Sequence, residues 1–231
     1  MWQDLKSRIY NLRRRLFGRY ELDDPRPIRK EARYTYYLPS DERLDAASPG
    51  DHVQLLFRSI PPGLDFGTER MWVEIQSANG DRLIGKLLNK PFDMPQLKIG
   101  AHVPFQRFHV ISITSDQPLP KDPPQRQYWD RCMVDQCVLD RSELVYYIYR
   151  ETPDLAQEGD KDPDSGWRIR GDYRDISDDE LHARKVAYAA LGAVLNADDS
   201  WLHLIDSPTD TAFIRNFETG EYEPYDRDSA E

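Results

Sequence analysis

Four short constellations hold the residue types that chemistry uses. Asp164-Ser165-Gly166 sets a carboxylate beside a hydroxyl. Nucleophilic catalysis needs such a hydroxyl within reach of a base, and His182 and His203 are the candidate bases. No Gly-x-Ser-x-Gly elbow accompanies them. Asp and Ser bond readily to nearby backbone and Gly tolerates positive φ, so the run is expected to form a turn that presents Trp167 to a core. Cys132 and Cys137 lack the spacing of a zinc knuckle, and no His follows at ligand distance. His102 and His109 are expected to be surface or packing residues. Glu158-Gly159-Asp160-Lys161-Asp162-Pro163-Asp164 alternates acids as a calcium loop does. The twelfth position counted from Asp160 is Gly171, where such a loop needs Glu, and Pro163 breaks the alternation. Nucleotide loops of the Gly-x-Gly-x-x-Gly or Walker type are absent. The expectation is no catalytic residue, no metal ligand and no cofactor.

Recognition has better support than reaction. Tyr128, Trp129, Tyr146, Tyr147, Tyr149, Trp167 and Tyr173 crowd one part of the chain, and Trp, Tyr and Arg dominate binding hot spots. In an extended 144–150 segment, Tyr147 and Tyr149 share one side and Tyr146 and Ile148 the other. Trp167 is expected in the core. For Tyr147 and Tyr149, a second packing surface and a recognition surface both stay open. Of the 231 residues, those from 150 onward carry 21 acidic and 9 basic side chains, against 20 and 22 before them. The net charge of -10 therefore belongs to the C-terminal part. Such a field disfavours nucleic acid and favours basic proteins, although solubility alone is an equally good reason for it.

The positioning elements follow from periodicity. Residues 2–17 repeat Trp2, Leu5, Ile9, Leu12 and Leu16 at spacings of three and four, with arginines on the other faces and Gly18 as a stop. The expected fate of that stripe is packing on its own domain. Gripping a partner groove and peripheral contact with a membrane surface remain alternatives. Strands are predicted at 52–58, 71–77, 82–88, 101–105 and 108–113, with Asn79-Gly80 as a type I′ hairpin turn. They suggest a small, twisted barrel. Residues 114–127, with four prolines and few apolar residues, read as a linker. Beyond it, strands are predicted at 131–138, 144–150 and 167–170. One helix is predicted to start at Ser177, whose capping box uses Glu180, and to bury Leu181, Tyr188, Leu191 and Leu195 before Asn196. A hairpin closes the chain around Thr219-Gly220. Cys132 and Cys137, five residues apart in the expected strand, sit too far apart to form a disulfide. The start, Met1-Trp2-Gln3-Asp4, lacks the apolar stretch of a secretory signal, and no apolar run approaches a membrane span. A cytoplasmic protein is expected.

Two stretches resemble known families. Cys132-Met133-Val134, Tyr149-Arg150-Glu151, Asp164-Ser165-Gly166-Trp167-Arg168, Leu204-Ile205-Asp206-Ser207-Pro208 and Ala212-Phe213, in that order, resemble the immunity-protein-33 type domain over about residues 130–217. Arg70-Met71-Trp72-Val73-Glu74, Gly85-Lys86-Leu87-Leu88-Asn89-Lys90-Pro91 and Leu97-Lys98-Ile99-Gly100 resemble domain of unknown function 2314 over about 49–113, with Ala101 where that family has Asp. The first resemblance implies a small protein that binds and silences a cognate toxin.

The combined expectation is an α+β protein. Residues 1–48 would form an N-terminal helix and connector, and 49–113 a β-rich, barrel-like module. Residues 128–225 would be an immunity-like module with an antiparallel sheet and one main helix, ahead of a frayed 226–231. It would bind a protein partner, a basic toxin among the candidates, by an acidic surface around loop 151–166. The expected contacts are Asp160, Asp162, Asp164, Ser165 and Trp167, together with Arg150, Tyr147 and Tyr149. The competing expectation is a small-ligand sensor or enzyme with its site at the Asp-Ser-Gly-Trp turn.

Overall fold

The computed structural model describes residues 2–155, 159 and 161–227, the side chains of Gln3 and Asp4 excepted. The chain is α+β and divides into two compact units, residues 1–30 with 37–125, and residues 31–36 with 126–231.

In the first unit, α1 (Trp2–Phe17) leads into β1 (Arg19–Leu22) and the short helices α2 (Arg26–Glu31) and α3 (Asp41–Ala46). The strands β2 (His52–Ile60), β3 (Thr68–Asn79), β4 (Arg82–Leu87), β5 (His102–Gln106) and β6 (Val110–Thr114) follow, with a 3-10 turn between the last two. Successive antiparallel pairs run β1-β2-β3-β4-β5. One edge of β2 is shared, since β6 pairs with its first half and β1 with its second, and this nearly closes the sheet into a barrel. Alternation puts Val53, Leu55 and Phe57 of β2 inside, against Met71, Val73 and Ile75 of β3. The β3–β4 hairpin turns one residue later than the sequence suggests. Asn79 pairs with Arg82 as the last residue of its strand, and only Gly80 of the Gly80-Asp81 loop has positive φ. Gly at the first loop position with a normal second residue belongs to a type II′ turn, so the expected I′ turn is corrected.

The fate of α1 also differs from expectation. Its apolar stripe points outward, with Trp2 80% and Phe17 83% exposed, while Arg14 is fully buried. Arg14 donates to the Asp93 carboxylate at 2.7 Å, to the Asp93 carbonyl and to the Ser59 hydroxyl. Tyr10 donates to the Pro62 carbonyl. A stripe of the right period identifies an amphipathic helix but not the side that packs, and here the polar side is the one with partners.

The second unit is a six-stranded sheet in the order β10-β7-β9-β8-β11-β12. Its strands are β7 (Arg131–Asp135), β8 (Val145–Arg150), β9 (Asp164–Gly171), β10 (Val186–Ala190), β11 (Thr211–Arg215) and β12 (Tyr222–Pro224). Only β7 and β9 run parallel. The helices are α4 (Gln136–Leu139), α5 (Asp178–Ala183) and α6 (Leu191–Ala197). The predicted strand 131–138 therefore ends at Asp135, and Cys137 sits on α4 as a free thiol, as does Cys132 on β7. The single predicted helix from Ser177 is likewise a helix, a strand and a second helix. Ser177 and Glu180 do form the reciprocal capping box. The chain then extends through Val186–Ala190 to pair with β7, and Leu191 begins α6. Pairing with a strand edge outweighed the modest helix preference of the Ala-Tyr-Ala-Ala run.

One face of this sheet carries Cys132, Val134, Ile148, Trp167 and Ile169, packed with Leu191, Val194 and Leu195 of α6 and with Trp201. Trp167 and Trp201 meet edge to face at 5.6 Å between ring centroids. Among the described residues no helix of this unit buries an apolar side chain on the opposite face.

Candidate functional site

Alternation along β9 sends Trp167 and Ile169 to the core and Arg168 and Arg170 to the helix-free face. Cross-strand register extends each arginine into a row. Tyr188, Met133, Arg168 and Tyr149 lie abreast across β10, β7, β9 and β8. Beside them run Val186 and Asp135, then Arg170, Tyr147 and Ile214. The Tyr147 and Tyr149 rings stack at 5.3 Å, Tyr225 meets Tyr147 edge-on at 5.5 Å, and Arg227 sits 4.5 Å over Tyr149. Met133, Tyr149, Glu151, Arg168, Arg170 and Val186 line a shallow hollow of about 190 Å³. Ligand pockets start near ~300 Å³, so this hollow suits an inserted side chain better than a cofactor.

The floor is an ion-pair cluster. Arg168 bonds Glu151 at 2.6 Å, Asp154 at 3.0 Å and Asp164 at 3.0 Å. Burial works to raise the Asp164 carboxyl. The Arg168 guanidinium and the Gly166 and Leu155 amides outweigh it and hold the group below the usual carboxylate range. Burial likewise opposes charge on Arg168, and its bonds to Asp164 and Glu151 prevail, so it stays protonated. Next to it, Asp135 is wholly buried and accepts from Arg170 at 3.0 Å, from Arg184 at 3.3 Å and from the Gly171 amide. Arg184 reaches on to Glu143 at 2.9 Å. Five carboxylates face three guanidiniums, so an acidic surplus remains, and Asp154, 69% exposed, is its outermost member.

The Asp-Ser-Gly run holds this geometry from within. It lies inside β9, as an irregularity opposite Arg131 and Met133, where the sequence suggested a turn ahead of the strand. Gly166 takes φ of 79°, and a Cβ there would overlap the Glu151 carbonyl oxygen. Ser165 donates to the Arg131 carbonyl and accepts from the Trp167 amide. Asp164 accepts from the Gly166, Asp154 and Leu155 amides. Trp167 donates from its indole to the Ile205 carbonyl and is fully buried, while Arg150 donates to the carbonyls of Ser165 and Ser207.

The expected contact residues thus separate. Tyr147 and Tyr149 lie on the helix-free face. Asp162 is half-buried in the segment before β9, and Asp160 lies outside the described residues. Asp164, Ser165 and Trp167 are buried and bonded internally, and Arg150 clamps two backbone carbonyls, so these four frame the surface without presenting themselves on it. Sequence reading did not single out Met133, Arg168, Arg170 or Val186, and reached Glu151 and Asp154 only as part of loop 151–166. The alternation Trp167-Arg168-Ile169-Arg170 was the available signal. If Trp167 faces a core, both arginines must face away from it.

Residues 132–226 match the family model of the Immunity protein Imm33 domain. The match covers the sheet, the ion-pair cluster and both buried tryptophans of the second unit. No curated protein and no solved structure matches the chain.

Burial pushes the Cys132 thiol up to about 12 and the Cys137 thiol up to about 11. His182 rests on the Asp178 carbonyl, and His203 packs against Tyr222. Among the described residues no group of three His, Cys, Asp or Glu could hold a metal ion, and no helix is long and apolar enough to cross a membrane.

Proposed function

We propose that this chain is an immunity-type protein whose C-terminal unit binds and blocks a protein partner, a toxin, through the helix-free face of its sheet. This face, on which no helix of the unit buries an apolar side chain, is the observation that carries the reading. A sheet ordinarily buries one face and wets the other with scattered polar residues. Here the second face bears a tyrosine stack, Met133, Arg170 and an exposed Val186. Tyr, Met and Arg are the residue types enriched at protein interfaces. The hollow beside Tyr149 has the size of a side-chain socket, and the carboxylates at its rim favour a basic insert such as Lys or Arg. The match to the immunity domain supports the same class, and the acidic balance of residues 150–231 supports a basic partner.

The test is affinity capture from the cells in which the chain occurs, with wild type, Tyr149→Ala and Asp154→Lys as baits. One protein should be retained by wild type and weakened ~30-fold or more by Tyr149→Ala, the loss typical of a hot-spot residue. Co-expression then asks whether that protein stops growth and whether wild type, but not Tyr149→Ala, restores it. Equal capture and equal protection by all three baits would remove the helix-free face from the mechanism.

A further inference from the structure

We infer that α1 is a membrane-surface helix, which docks the chain on anionic lipid through the apolar stripe it turns outward. The helix is attached to its own barrel by its polar side, through Arg14 on Asp93 and Ser59 and through Tyr10 on Pro62. The opposite side exposes Leu5, Ile9, Leu12 and Leu16 by half or more, with Trp2 and Phe17 at the two ends. Such a surface runs along ~24 Å of helix and needs an occupant, because soluble monomers rarely expose continuous apolar patches.

Charge decides which occupant. Written as a heptad, Trp2, Ile9 and Leu16 take one seam position and Leu5 and Leu12 the other. The flanking positions are then Lys6 and Arg13 on one shoulder and Arg8 and Arg15 on the other, all four exposed. A second copy would set like charges against each other in either helix orientation, which opposes pairing. An acidic partner helix would relieve that, but sixteen residues fall short of the three to four heptads a coiled coil needs. A lipid surface has no such length requirement. An apolar strip between two basic shoulders sets its side chains at acyl depth and its arginines at headgroup phosphates. The helix holds five basic residues and one acidic one in a chain whose net charge is -10, so the positive charge is concentrated where the apolar strip lies. Beside the helix, Asn11 shares a hollow of about 480 Å³ with Phe92, Ile99, Lys90 and Lys98, of which Phe92 and Ile99 are exposed. Two lysines and two exposed apolar side chains thus sit beside the helix as well.

The test is flotation of the full chain with vesicles of 70% phosphatidylcholine and 30% phosphatidylserine (about 50 mM salt). Wild type should float, pure phosphatidylcholine should hold it far more weakly, and about 0.5 M salt should release it. Trp2 emission should shift to the blue on binding. Neutralising three arginines (R8Q, R13Q and R15Q together) should weaken binding roughly 100-fold, at about fivefold per basic residue. Ile9→Ser with Leu12→Ser should weaken it at least as much. All these positions are exposed, so an unchanged urea midpoint serves as the folding control. Failure of wild type to float, or undiminished flotation of the serine variant, overturns the inference. So does a concentration-dependent dimer, or capture of an acidic helical peptide, that the serine variant loses while vesicles are ignored.

Discussion

Replacing Arg168 with Met leaves the carboxylate of Asp164 buried without its cation, and the size of the loss follows from burial. The Arg168 side chain is 6% exposed and that of Asp164 is wholly buried. Breaking a buried pair by removing one partner costs about 3–5 kcal/mol. Two features hold the estimate near the lower end. Glu151 and Asp154 are more than a third exposed, so water takes over from Arg168 at a cost below ~1 kcal/mol each. Asp164 also keeps the amides of Gly166, Asp154 and Leu155. A loss of about 3 kcal/mol at pH 7 moves a urea midpoint by about 2 M at a slope of about 1.5 kcal/mol/M. Trp167 and Trp201, both fully buried, report the transition by fluorescence. The pH dependence separates charge from lost packing. In wild type the Asp164 carboxyl is held low, so its contribution is present above about pH 4 and is lost as pH falls through the folded value. In the variant, burial acts without the guanidinium and raises the folded value above that of the unfolded chain. The variant therefore gains stability, relative to wild type, as pH falls from 7 toward 4. A midpoint within about 0.5 M of wild type, or a gap that does not narrow in acid, refutes the cluster as an electrostatic strut.

Other substitutions probe separate links. Gly166→Ala forces a side chain into positive φ and against the Glu151 carbonyl, and should lower stability by about 2 kcal/mol or more in the same urea assay. Arg14→Met abandons a buried Asp93 and should destabilise the barrel by about 3 kcal/mol, read as faster amide exchange in β2 and β3. Cys132 and Cys137, with thiols pushed up to about 12 and about 11, should react with a disulfide reagent at pH 7.5 at least ~100-fold more slowly than a free thiol. Urea should unmask both.

Legibility from the sequence followed the strength of local signals. Alternation in residues 52–58 and 71–77 was enough for the barrel, because half-buried strands must alternate. The capping box at Ser177 was legible because both of its partners lie within one turn. The strand Val186–Ala190 was not, because its reason for being extended is β7, some fifty residues away. The orientation of α1 was hidden for a related reason. Arg14 looked like one of several solvated arginines, and only the fold brings Asp93 and Ser59 to it. At the candidate site the distinctive Asp-Ser-Gly-Trp run drew notice to residues that are buried and bonded internally. The surface beside them depends on cross-strand neighbours that no short window contains.

Several buried arginines have one device in common, which leads to a last prediction. Arg14 with Asp93, Arg168 with Asp164, Arg184 with Asp135 and Arg215 with Asp198 all pair largely out of water. Two of these carboxyls, Asp93 and Asp164, are held below the usual range; burial opposes the shift in each case and is outweighed by the arginine and backbone amides. Exposed pairs such as Arg126 with Asp206 are screened at a Debye length of ~3 Å in 1 M salt, and buried ones hardly at all. If the buried pairs are the ones that stabilise each unit, 1 M sodium chloride at pH 7 should not lower the urea midpoint. It should raise the midpoint slightly, by screening the repulsion of a chain with a net charge of -10. Acid should act in the opposite direction. The two depressed carboxyls make stability fall steeply below about pH 4, with more protons taken up on unfolding than in a variant carrying Asp93→Asn and Asp164→Asn. A midpoint that drops in salt at neutral pH would show that solvent-exposed pairs carry the stability instead.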